Sequence, residues 1–176
     1  MGTSREHHQP HDHVFKLACR SPAAAQALVR SAYGEALAAA IVPGSLRLET
    51  PVEISDELEE DERDLVFSCR LAVVGPEEVE ALILVSIEHQ RGPHPEMPLR
   101  VYDYVRVQWA AWIREHPGRK LPVVLPIVVH QGPRPWTGPR SVADMLAAPA
   151  ALLEQVGRFV PALELALVDL GQLTPE

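Results

Sequence analysis

Cysteine is nearly absent: Cys19 and Cys69 are the only two in 176 residues, far apart and in no Cys-x-x-Cys spacing. That excludes a disulfide framework and leaves two reduced, buried thiols as the expectation. Long apolar runs are missing too. No stretch is long enough to span a bilayer, and residues 1–20 hold four histidines but no apolar signal core, so a soluble, cytoplasmic chain without membrane partners is expected. There is no P-loop, no G-x-G-x-x-G and no internal repeat, so the common glycine-rich phosphate loops are excluded. Lysine is rare as well, at Lys16 and Lys120 alone. What the chain has in quantity is apolar residues, 47% of the total, enough for one core and one domain.

Charge is unevenly placed. The net charge of −8 argues against nucleic acid, but residues 53–64, EISDELEEDERD, hold eight acids against the single base Arg63. Between Arg91 and Arg140, by contrast, eight bases face three acids. Most of those bases are arginines, the planar, bidentate phosphate binders, although an overall arginine bias explains the preference equally well.

The first ten residues are polar and unpatterned, and a flexible tail is expected for 1–10. His7, His8, His11 and His13 lack the fixed scaffold that a zinc site requires. Asp12 suits the cap or first turn of a short amphipathic helix, and Ser21-Pro22 opens an alanine-rich helix that runs to about Ile41 before Pro43-Gly44. Strand-like runs follow at 45–54, 63–74 and 80–90, with GPEE at 75–78 joining the last two as an antiparallel hairpin. The spacing of Leu99, Tyr102, Val105, Trp109, Trp112 and Ile113 predicts a helix ending at Pro117-Gly118, with the tryptophans in the core. A buried strand at 121–131 comes next, and Pro126 marks a bulge or an interruption in it. A helix between two buried strands requires a parallel crossover, so the expected architecture is an α/β fold of order αβββαβ. Its mixed, four-stranded sheet is flanked by helices, with 80–90 central. Residues 11–140 form this core, and 141–176 form a helical and strand extension packed on it.

The third strand ends in Glu88-His89-Gln90. Side chains two apart on a strand share a face and lie roughly 6.6 Å apart, so Glu88 and Gln90 point the same way. Centring the hairpin on residue 76 sets Asp64, at the start of the second strand, opposite Glu88. Two facing carboxylates repel unless a cation separates them, and hard oxygen donors favour Mg2+ or Mn2+. A solvated, acidic sheet end is the alternative.

The same residues resemble a known family. PHDHVFK (10–16), ERDLVFSCRL (62–71), SIEHQ (86–90), MPLRVYDY (97–104) and LPVVLPIVVHQGPRPWTGP (121–139) occur in the order found in the recombination-promoting nuclease, or Rpn, family of putative transposases. The αβββαβ order is similar to the restriction-endonuclease-like core of the PD-(D/E)XK superfamily. The resemblance implies a metal-dependent DNA endonuclease of little sequence specificity. Asp64 and Glu88 would be catalytic metal ligands, Gln90 would stand at the superfamily's lysine, and Asp12 would be accessory. Arg63 replaces the superfamily's proline, and Gln90 can orient a water but cannot take its proton. Family members usually run longer than this chain, so a short form or a trimmed catalytic piece is expected.

The expected chemistry is phosphodiester hydrolysis. Mg2+ or Mn2+ would be held by Asp64, Glu88 and the backbone carbonyl of His89, and DNA by Arg91, Arg100, Arg106 and Arg134. Cutting both strands with one site per chain would call for a homodimer. Two alternatives remain: a catalytically weak DNA-binding or protein-interaction module that keeps the fold, and an acidic protein-binding domain with no nucleic-acid role.

Overall fold

A computed structural model describes residues 17–49, 65–72, 78–88 and 94–172. Asp12, Asp64, His89, Gln90 and Arg91 lie outside the described residues, as do the four N-terminal histidines and the acidic run 53–64.

Ser21 caps the helix α1 (Pro22–Tyr33), its hydroxyl accepting from the Ala24 N–H at 3.1 Å while Pro22 takes a first-turn position that has no N–H to satisfy. The alanine-rich segment is not one helix. Gly34 adopts φ +90, a conformation open to glycine, and a second helix, α2 (Glu35–Ala40), starts from it. The strands are β1 (Arg47–Glu49), β2 (Leu65–Leu71), β3 (Val79–Glu88), β4 (Val123–His130) and β5 (Ala166–Asp169). Helix α3 (Met97–Glu115) connects β3 to β4, and α4 (Ala150–Val156) lies between β4 and β5.

The strands form one mixed sheet in chain order, with β3 at its centre. β1, β2 and β3 pair antiparallel, and β3, β4 and β5 pair parallel. The sheet has five strands, not four: the final apolar run supplies β5, which continues the parallel ladder beside β4. The hairpin also differs in register. Leu65 stands opposite Val85, which centres the turn on residue 75 rather than 76. The described ladder is therefore displaced by two residues from the one that sets Asp64 against Glu88.

Alternation along the strands sorts side chains to two faces. On one, Leu65, Phe67, Ile83, Val85, Ile127 and Val129 pack with Leu28 and Val29 of α1. On the other, Val128 meets Met97 and Val101 of α3, and Val66 and Leu84 meet Tyr104 and Val105. Burial on both faces is why β3 reads as continuous apolar sequence. Fully burying a side chain such as Ile83 or Phe67, both at 0% exposure, contributes about 1.5–3 kcal/mol.

Pro126 does not interrupt β4. Pairing with β5 begins one residue later, at Ile127, so the strand does not need a Pro126 N–H on that side. The Pro126 carbonyl instead accepts from the Tyr33 hydroxyl at 2.7 Å, tying α1 to the strand.

Candidate functional site at the carboxyl ends of the parallel strands

In open α/β sheets, ligands bind beyond the carboxyl ends of parallel strands. Here each of those strands ends in a chemically versatile residue. Glu88 closes β3, His130 closes β4 and Asp169 closes β5, and they stand in one register row: Glu88 opposite His130, His130 opposite Asp169.

His130 is firmly held. Only 1% exposed, its ring places Nε2 2.9 Å from the Arg134 carbonyl, which can only accept, so Nε2 carries the hydrogen. In a neutral ring Nδ1 is then a bare lone pair, and it has no partner among the described residues. Gly132 makes room for the ring: a Cβ there would stand within 2.5 Å of Nε2 and closer still to Cε1. Trp136 packs edge-on to the imidazole, centroids 5.4 Å apart. The tryptophan is itself fixed, its backbone N–H donating to Asp169 Oδ2 at 3.0 Å and its indole N–H to the Gly138 carbonyl at 3.0 Å. Asp169 Oδ1 also accepts from the Gly171 N–H at 3.2 Å. Asp169 thus acts on the row through the loop, holding Trp136 against His130.

Ser86 lies two residue pairs inward on the same face, registered with Val128, and its buried Oγ also lacks a partner among the described residues. An unsatisfied buried polar atom costs about 1–3 kcal/mol. The third such atom, His116 Nδ1, is far from this row, on a ring stacked against Trp112 at 3.9 Å just beyond the end of α3.

Of the arginines predicted to bind DNA, the three described ones differ in their surroundings. Arg100, in the first turn of α3, is half-buried and lies over the Tyr104 ring, its Nε donating to the Tyr104 hydroxyl at 3.3 Å. Arg106, six residues on, is rotated about 120° around the helix axis and about 9 Å further along it. It is exposed and pairs with Asp103 at 3.6 Å. Arg134 is exposed on the loop after β4, and its own carbonyl anchors His130.

Beside this end an open cleft of about 1070 Å³ lies between the start of α3 and the loop after Trp136. Glu96, Asp144 and Glu164 outnumber Arg140 on its walls, which disfavours a phosphate chain there. Asp144 is occupied structurally: it accepts from the N–H groups of Arg140 at 2.9 Å and Ser141 at 2.8 Å, while its own N–H donates to the Ser141 hydroxyl at 3.2 Å. The bond from the Arg140 N–H first, then those from the Ser141 side chain and backbone, hold its carboxyl below the usual range. Among the described residues no cluster of three His, Cys, Asp or Glu side chains stands at metal-binding distances.

His130, Ser86 and Asp169 are absent from the residues that the sequence singles out. A signal for two of them exists, since IVVHQG and ALVDLG, like LVSIEHQ, are apolar strands that finish on a side chain able to bind.

A mixed five-stranded sheet with helices on both faces defines an α/β protein whose layout is compatible with a nuclease core. The chain belongs to the family described as "Putative transposase, YhgA-like", which matches residues 9–176 and agrees with the resemblance carried by the five sequence blocks. No curated protein and no solved structure matches it. No helix among the described residues is long and apolar enough to cross a membrane.

Proposed function

We propose that this chain is a divalent-metal-dependent DNA endonuclease acting in recombination, transposition or defence involving mobile elements. The observation that carries the reading is the row of Glu88 and His130 at the carboxyl ends of β3 and β4, in a chain of a transposase-like family. In support, β3 finishes on a carboxylate residue, and the imidazole registered with it keeps a buried lone pair that has no partner among the described residues.

Asp64, Glu88 and the backbone carbonyl of His89 would hold Mg2+ or Mn2+. The ion supplies relief of phosphate charge and lowers the pKa of water. Gln90 orients the attacking water, Asp12 assists from the N-terminal segment, and Arg91, Arg100 and Arg134 bind phosphates flanking the scissile bond. Arg100 belongs with this group because α3 begins near the end of β3 and runs away from it; Arg106 lies further along the helix. A homodimer would give one site per DNA strand.

The acid excess of the neighbouring cleft favours a second reading, a protein-interaction module that keeps the fold with little catalysis. Plasmid nicking in Mg2+ or Mn2+ separates the two. The endonuclease reading expects the parent chain to nick, and Asp64→Ala and Glu88→Ala to abolish nicking while the far-ultraviolet circular dichroism stays that of the parent. Undiminished cleavage by a folded Asp64→Ala would sink it.

A further inference from the structure

Ser86 and His130 are diagonal neighbours on the sheet face that α3 covers, position 86 being registered with Val128 and position 88 with His130. At 3% and 1% exposure both are more than nine-tenths buried, and neither Ser86 Oγ nor His130 Nδ1 has a hydrogen-bond partner among the described residues. Rotating the ring does not remedy this. Nε2 is engaged by the Arg134 carbonyl, the Cε1–Nε2 edge lies against Gly132, and Trp136 stands edge-on.

We propose that these two atoms share one water molecule and that, resting on the endonuclease reading above, it is the water that attacks the phosphodiester: its oxygen bonds to phosphorus as the P–O bond to the leaving nucleoside oxygen breaks, its proton passes to Nδ1, and the leaving oxygen takes a proton from solvent. The assignment follows from donor and acceptor chemistry. With Nε2–H engaged, Nδ1 of the neutral ring can only accept, whereas the Ser86 hydroxyl can donate or accept. One water giving an O–H to Nδ1 and bonding to Ser86 satisfies both atoms and keeps a lone pair free. It also supplies what the Glu-x-Gln strand end lacks. The imidazole, anchored through Arg134, Gly132 and Trp136, fixes the water's orientation. Such buried waters bridge polar groups that would otherwise be unsatisfied.

Two measurements test this. The first is independent of cleavage: long-range 1H–15N spectra of the uniformly labelled chain without DNA or metal. His130 is expected in the Nε2–H tautomer, with an Nδ1 resonance of a hydrogen-bonded lone pair that moves toward the free value in Ser86→Ala. A proton on Nδ1 in place of Nε2, or an Nδ1 resonance indifferent to Ser86→Ala, overturns the shared water. The second is single-turnover plasmid nicking in Mg2+, measured alongside DNA affinity. Gly132→Ala leaves the imidazole in the chain but forces a Cβ into its place. It is expected to slow cleavage about 100-fold, as a misplaced reacting group does, with the DNA Kd within about twofold of the parent. Ser86→Ala, the milder change, should slow it in the same sense. Parental nicking rates in both folded variants overturn the water's catalytic role. Should the parent chain itself fail to nick DNA, the endonuclease reading falls, and the spectra still decide whether the water is shared.

Discussion

Burial sets the chemistry of single side chains here before any ligand is considered. Cys69, 2% exposed in the middle of β2, has its thiol pushed up to about 11, first by burial and then by the nearby Glu80 carboxylate; burial raises Cys19 in the same direction. Thiolate is the reactive form, so both cysteines should resist iodoacetamide near pH 8 and label promptly once the chain is unfolded in urea. Mass spectrometry of the two labelled samples checks this; native labelling of Cys69 at the rate of a free thiol would contradict it. The sign of the linkage is also fixed. A folded-state pKa above the unfolded value gives a contribution present below the unfolded pKa and lost as pH rises toward 11. Two buried reduced thiols were legible from sequence alone, because an isolated cysteine in an apolar alternation has no other role. His130 was not. A histidine closing an apolar strand is ordinary in sequence, and its distinction lies in the Gly132 contact and the Arg134 carbonyl, which depend on how the following loop turns back.

Helix α3 shows where periodicity stops deciding. The spacing predicts a buried stripe through Leu99, Tyr102 and Ile113, yet these are 43%, 36% and 56% exposed. The buried stripe runs through Met97, Val101, Tyr104, Val105, Gln108 and Ala111. Apolar residues occur all around this helix, so a period of 3.6 fits more than one face, and the sheet selects among them. Trp109 does pack partly against the core, with its indole N–H on the Pro122 carbonyl at 3.1 Å. Truncation distinguishes the faces. Met97→Ala, removing a side chain that is 1% exposed, should cost about 2–5 kcal/mol, whereas Leu99→Ala should fall within about 0.5 kcal/mol of the parent. Urea denaturation of the two variants measures the difference, and equal losses would mean that the helix is rotated from the orientation described. The α1–α2 break follows a similar logic, since alanine-rich sequence favours helix throughout and only the positive φ of Gly34 marks the division.

At the scale of the whole molecule, the order of elements was readable because a helix between two buried strands leaves one plausible connection, the parallel crossover. The fifth strand was visible only as an apolar run, since four residues cannot declare a partner. The hairpin register escaped by two residues because a turn's length and geometry, not its composition, set the pairing. Charge has the same character: totals are legible, but what each charge faces is not. Arg106 is matched by Asp103 at 3.6 Å, whereas Arg134 projects from the exposed loop that holds His130. If DNA is bound at the carboxyl ends of the strands, these arginines should separate in a salt titration. Each phosphate contact contributes about 0.9 to the slope of log K against log salt. Arg134→Ala should therefore lower affinity and reduce that slope by about 1. Arg106→Ala should change both by less, because its charge is already offset by a neighbouring carboxylate and stands further along α3. Fluorescence anisotropy with a labelled duplex at several salt concentrations makes the comparison. A slope that Arg106→Ala alters and Arg134→Ala leaves untouched would move the DNA path away from the strand ends and onto the outer face of the helix.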